Sequence, residues 1–189
     1  MGELDGLRLI VGVTGSIAAY KVPGLIRLLR KEGAVIEVIL TPGGEQFITE
    51  LTLETVSGRQ VHRAMFGERR SAALTHVELA DSCNAVIVAP ATANLLAKAA
   101  TGMADDLLTT VLLAAGHRVP VIYAPAMNVH LWESPLTQRN VAILRRQGHH
   151  FVGPAEGPLA EGYSGAGRML EPDVIAATVL RILTAAATT

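Results

Sequence analysis

The chain has a single cysteine, Cys83, so no disulfide can form within it and a reducing compartment is expected. Aromatic residues make up only 4% of its 189 residues and charged ones 17%, while half are hydrophobic. That balance excludes a disordered chain and implies a well-buried core. No uninterrupted apolar run is long enough to span a bilayer, and residues 1–7 carry acids where a signal peptide needs bases. A cytoplasmic protein with no membrane partner is expected. The formal net charge of -1 gives no reason to expect nucleic acid either. The densest basic pairs, Arg69-Arg70 and Arg145-Arg146, read as solvated faces, and Cys83 as buried core. The first turn lacks Gly-x-Gly-x-x-Gly, which argues against a dinucleotide site, and no Walker pattern is present. Apart from His76, treated below, the histidines show no metal-ligand spacing.

What is present is an alternation. Arg8–Val13 is a short apolar run with β-branched residues, and residues 34–40, 85–88, 119–123 and 150–152 read as further strands. Between them, residues 17–31, 94–100, 105–115 and 134–147 have helical spacing, and Pro172–Ala186 closes the chain. Pro23 marks a first turn or a kink, and Ser134-Pro135 supplies an N-cap and a first-turn proline. The pattern predicts one α/β domain over residues 1–189: a doubly wound, Rossmann-like or flavodoxin-like parallel sheet with helices on both faces. Residues 153–168 stand apart, with five glycines and two prolines in sixteen residues. So long a structureless stretch suggests a functional flap, over about 153–169.

In a doubly wound sheet the ligand lies beyond the carboxyl ends of the strands. Four such ends are Thr14-Gly15-Ser16-Ile17, Thr41-Pro42-Gly43, Ala89-Pro90-Ala91-Thr92-Ala93-Asn94 and Ala124-Pro125-Ala126-Met127-Asn128. All are rich in small or hydrogen-bonding residues, as a site needs where backbone approaches a planar ligand. Gly15 and Ser16 can offer N–H groups and a hydroxyl to a phosphate, or can simply cap a helix.

Taken together, the segments Thr14-Gly15-Ser16-Ile17-Ala18-Ala19-Tyr20-Lys21, His76-Val77-Glu78-Leu79-Ala80, Ala89-Pro90-Ala91-Thr92-Ala93-Asn94, Gly102-Met103-Ala104-Asp105-Asp106-Leu107-Leu108 and Pro125-Ala126-Met127-Asn128 carry a family pattern. The chain resembles the homo-oligomeric flavin-containing cysteine decarboxylases, over about residues 7–182. That family includes phosphopantothenoylcysteine decarboxylase and the peptidyl-cysteine decarboxylases of ribosomal peptide natural products.

The resemblance implies flavin mononucleotide (FMN) as cofactor. Gly15, Ser16, Ile17 and Thr41 match its binding turns, and Thr92, Ala93, Asn94 and Ala126 match further contacts. It implies His76 as the catalytic histidine and Asn128 as the asparagine that grips the substrate carboxylate. The segment with Glu161, Gly165, Gly167, Arg168 and Met169 matches the flap that closes on substrate. A trimer or dodecamer is implied, with FMN at subunit contacts and Asp105, Asp106 and Leu107 near such a contact.

The chemistry has a clear logic. Direct loss of carbon dioxide from a cysteine leaves a carbanion with no electron sink, whereas oxidation at Cβ creates a C=S acceptor β to the carboxylate. A histidine titrating near neutral pH suits removal of the thiol proton, and an asparagine amide can hold the carboxylate without a charge that opposes its loss. One position departs from the family. Members that return a saturated thiol carry a cysteine in the flap, where this chain has Glu161. The expected product is therefore an enethiol, which favours oxidative decarboxylation of the C-terminal cysteine of a precursor peptide; alternatively Glu161, desolvated under the flap, replaces that acid. Phosphopantothenoylcysteine decarboxylation in coenzyme A synthesis is the alternative. A non-catalytic flavin-binding regulatory subunit and a flavin prenyltransferase on the same fold are the remaining readings.

Overall fold

The computed structural model describes residues 2–64, 75–158 and 164–186. Five parallel strands, β1 (Arg8–Val13), β2 (Val35–Leu40), β3 (Ala85–Ala91), β4 (Val121–Pro125) and β5 (His150–Phe151), form one sheet in the order β2-β1-β3-β4-β5. Successive side chains leave the sheet on opposite faces, and both faces are covered, which is why the strands are nearly all apolar. Leu9, Val11, Ile36, Val38 and Ile87 enter one core. Ile10, Ile39, Val86, Val88 and Tyr123 enter the other.

The first core is closed by α1 (Val22–Lys31), α2 (Glu50–Ser57) and α8 (Pro172–Ala186), through Leu25, Ile26, Leu29, Leu53, Ile175 and Val179. The second is closed by α3 (Thr75–Ser82), α4 (Ala93–Thr101), α5 (Leu107–Ala115) and α7 (Pro135–Arg146), through Leu79, Leu95, Leu108, Val111 and Leu144. A short α6 (Val129–Glu133) follows β4. The doubly wound parallel sheet is as expected. Its order reverses direction between β1 and β3, which is where such sheets open a crevice for a ligand.

Pro23 breaks the long periodic stretch into two pieces. A 3-10 turn over Ile17–Lys21 hands over to α1, and the proline lies in the first turn of α1, where no N–H is needed. Strand β3 runs past its expected stop, because the register shifts between Val88 and Ala91. That bulge accommodates Pro90, which cannot donate to the ladder. The described part of residues 153–168 is a pair of antiparallel strands, β6 (Ala155–Pro158) and β7 (Ser164–Arg168), and not a structureless loop. Their Gly- and Pro-rich sequence has little strand propensity, and pairing with each other and docking on α6 override it.

Helix α3 sets the direction of His76. The Arg8 N–H donates to Asn84 Oδ1 at 2.8 Å and the Arg8 guanidinium to Ser82 Oγ at 3.2 Å, so α3 ends at the amino edge of the sheet. Its first turn, with His76, points toward the carboxyl edge.

Candidate functional site

Each strand end at the carboxyl edge is tied by short polar contacts. The Thr14 hydroxyl donates to Pro90 C=O at 2.6 Å, joining the ends of β1 and β3 across the reversal of strand order. A side chain on Gly15 would start 3.0 Å from the Gly43 carbonyl, so the turns after β1 and β2 touch backbone to backbone. Ser16 opens the 3-10 turn, accepting the Ala18 N–H at 3.4 Å, so the helix-capping role open in the sequence is realised. Thr92 caps α4 by accepting the Leu95 N–H at 3.3 Å. The Ala126 N–H reaches Ala91 C=O at 3.1 Å. Asn128 caps α6, its Oδ1 accepting the His130 N–H at 2.9 Å, and lines the space the ends enclose.

These ends surround a cleft of about 650 Å³. Gly15, Ser16, Ile17, Thr92, Ala93, Asn94, Ala126 and Asn128 line it, and from the flap Gly167, Arg168 and Met169. Strand β7 is fastened to the end of β4 by the Met127 N–H, which donates to Gly167 C=O at 3.0 Å. Gly167 is required there, because a Cβ would collide with the Met127 carbonyl oxygen. Gly165 packs instead on α6, where a Cβ would meet Val129 Cγ2 at 2.8 Å.

Besides Gly165, two sequence-predicted residues among the described ones are not on this cleft. Thr41 is buried, its hydroxyl donating to Val13 C=O at 3.0 Å and accepting the Gly44 N–H at 3.2 Å; it holds the turn after β2. His76 does not line the cleft of its own chain; its Nδ1 is buried without a hydrogen-bond partner among the described residues. Glu161 lies outside the described residues.

Sequence reasoning missed Lys21 and Glu171, which also line the cleft. The Lys21 ammonium is buried and donates to Met169 C=O at 3.1 Å and Glu171 Oε1 at 2.7 Å. The signal was a lone lysine between Ala19 and Val22, since a cation in an apolar stretch needs a partner. That partner is 150 residues away, and no local pattern names it. With Arg168, the lining carries two cations against one carboxylate, which favours an anionic ligand.

A second cavity, of about 530 Å³, is lined by none of the predicted residues. Burial raises the pKa of its Tyr123 phenol and lowers that of its His149 imidazole, so both are neutral at pH 7. Cys83 is buried as expected; burial pushes its thiol pKa up, which makes it unreactive. On β2, burial pushes the Glu37 carboxyl up, but hydrogen bonds from His62 (3.2 Å) and Arg59 (2.7 Å) outweigh this and hold it below its ordinary value. Among the described residues no three His, Cys, Asp or Glu are placed to hold a metal ion, and no helix is long and apolar enough to cross a membrane.

Known proteins resemble the chain over most of its length. The chain is 43% identical over 173 residues to the coenzyme A biosynthesis bifunctional protein CoaBC of Haemophilus influenzae, covering 92% of this chain and 43% of that one. It is 42% identical over 172 residues to CoaBC of Bacillus subtilis, covering 91% and 42%. The chain thus spans less than half the length of these relatives. Among solved structures, the FMN-dependent cysteine decarboxylase SpaF superposes with a TM-score of 0.81 at 33% identity, covering 97% of this chain and 99% of that one. A PPC decarboxylase mutant complexed with pantothenoylaminoethenethiol superposes with a TM-score of 0.83 at 29% identity, covering 94% and 98%. The signature of the Flavoprotein family matches residues 1–184, a span that contains every segment walling the cleft, and the chain belongs to that family.

Proposed function

We propose that the chain binds FMN in the cleft between the ends of β1, β3 and β4 and uses it to decarboxylate a cysteine with a free carboxylate. The carrying observation is the convergence of the Gly15–Ile17 turn, the Thr92–Asn94 segment, Asn128 and the flap on one cleft at the reversal of strand order. The residues fit the cofactor. The cleft volume falls within the range of about 300–1,000 Å³ usual for such ligands. Ser16 and Thr92 bring hydroxyl groups to its lining, and its positive excess suits a phosphate.

FMN, once bound, supplies the acceptor for the hydride lost from Cβ. The protein's own residues divide the remaining work. Asn128 donates N–H to the substrate carboxylate and orients it, adding no charge that would hold the departing group. Strand β7, docked against Met127, covers the reacting carbon and excludes water. His76 takes the thiol proton. Since one chain does not bring His76 to its own cleft, a second copy brings it, and the catalytic unit is a homo-oligomer. The exposed Ile17, Tyr20 and Leu131 at the cleft mouth supply an apolar surface for that contact.

Phosphopantothenoylcysteine is the favoured substrate, which reverses the order reached from sequence alone: the CoaBC relatives are 42–44% identical to this chain. The second reading, a peptide ending in cysteine, is supported by SpaF at 33% identity over nearly the whole chain and by Glu161 in the flap. Incubation with each substrate and mass analysis of the product separates them. Loss of carbon dioxide alone means the flavin returned its hydride; loss of carbon dioxide and two hydrogens means it did not. No turnover of either by yellow protein would end the proposal. Mixing His76→Asn and Asn128→Asp proteins should restore activity that neither has alone, and no recovery after subunit exchange would return His76 to a role within its own chain.

A further inference from the structure

Glu171 Oε1 accepts from two cations that line the same cleft, and the two bonds differ in kind. The Lys21 ammonium is 2.7 Å away, its side chain only 8% exposed, and it is also fixed by Met169 C=O. The Arg168 guanidinium is 3.3 Å away, its side chain 45% exposed. An ion pair of the second kind is weak and exchanges readily for another anion. Asn128, the proposed holder of the substrate carboxylate, lines the same cleft as Arg168. Arg168 directly follows Gly167, whose carbonyl is bonded to Met127 N–H and whose α-carbon faces the backbone of Asn128. Arg168 and Asn128 each follow a residue of that bond, and both line the cleft at this corner.

This corner poses an electrostatic problem. A guanidinium prefers a carboxylate to any neutral partner and can bind it through two N–H groups. If it gripped the substrate carboxylate, it would stabilise the charged ground state more than the transition state, in which that charge moves onto the substrate. Binding would tighten and decarboxylation would slow.

We propose that Glu171 is a positioning residue that occupies Arg168, so that the neutral amide of Asn128 alone holds the carboxylate that is to leave. The Lys21 bond anchors Glu171 at the base of the flap, and its oxygen then draws Arg168 away from the substrate. The inference rests on the decarboxylase reading for its consequence in turnover, but its binding consequence stands by itself.

The test uses FMN-loaded protein and S-methylated phosphopantothenoylcysteine, whose blocked thiol cannot be oxidised. In Glu171→Gln this probe should bind about tenfold more tightly, read from the perturbed flavin absorbance, because Arg168 gains a charge-assisted bond. With the reactive substrate, KM and kcat should both fall, kcat by about tenfold. Adding Arg168→Met should abolish the tightening. Glu171→Asp, too short to span both cations, keeps Lys21 paired and should shift binding in the same direction, so it serves if the Gln protein does not retain FMN. Unchanged or weaker probe binding in the Glu171 variants would overturn the inference, since a flap merely loosened would raise KM. Tighter probe binding alongside a wild-type protein that turns over neither substrate would instead retain the inference and remove the decarboxylase reading.

Discussion

On the floor of the cleft, the turns are held by their own backbone and by hydroxyl groups one atom from it, Thr14 to Pro90 and Thr92 to Leu95, and the neighbouring turn after β2 is held by Thr41 to Val13. Among its described residues the flap is held by Met127 N–H to Gly167 C=O, by packing of Gly165 on α6 and by the charges of Lys21, Glu171 and Arg168. Neutral buried hydrogen bonds are indifferent to salt, whereas half-exposed ion pairs are screened by it. The floor thus has the fixed geometry that a bound ring system needs, and the flap can yield when substrate enters and leaves. Rigidity and adjustability are separated along the chain.

The comparison can be broken from the floor side first. Asn128→Asp keeps a good helix cap, so the fold and FMN content should hold, but in the proposed reaction it exchanges a donor for a charge facing the substrate carboxylate. Loss of one such donor costs up to about 10³-fold, and turnover should fall by that much. Retained turnover would remove Asn128 from the chemistry. On the flap side, Gly167→Ala forces β7 off the Met127 carbonyl, and turnover should fall about 10²-fold with bound FMN unchanged. Loss of FMN as well would mean that flap and floor are one rigid unit.

Thr92→Ala sharpens the contrast by a smaller step. The lost cap should cost about 1 kcal/mol and lower Tm by about 2–4 °C in a chain of this size. FMN should dissociate more readily, because the amides of α4 are no longer held in place. The smallest effect lies away from both regions. Glu37 has a depressed pKa in the fold, so its ionised form contributes stability that is complete above the unfolded value of about 4.3 and is lost as pH falls through the lower folded value. The Tm difference between wild type and Glu37→Gln should therefore narrow below about pH 4, while cleft binding at neutral pH is unaffected.

Much of this arrangement was legible in the sequence, for local reasons. The apolar runs of β1 and β2, the proline stops and the capping residues Ser16 and Ser134 state their structure within a few residues. The floor of the cleft is made of such features, and most of its residues were identified. What escaped was set by distance. Strands β6 and β7 exist because they pair with each other, α2 shows its Thr49 cap and Gly58 stop but only weak periodicity, and the Lys21–Glu171 pair joins opposite ends of the chain. His76 was picked out by resemblance to a family, and a single chain gives it no place in the cleft.

The order of the strands has a consequence for how the protein comes to be yellow. Thr14 meets a carbonyl 76 residues further along, and Lys21 one 148 residues further along. Chain closures of that length come late in folding, so no nascent fragment can capture the cofactor. FMN then acts as a trap for the finished molecule: by mass action it stabilises only the native state, and saturating flavin should raise Tm where a destabilised variant would otherwise unfold.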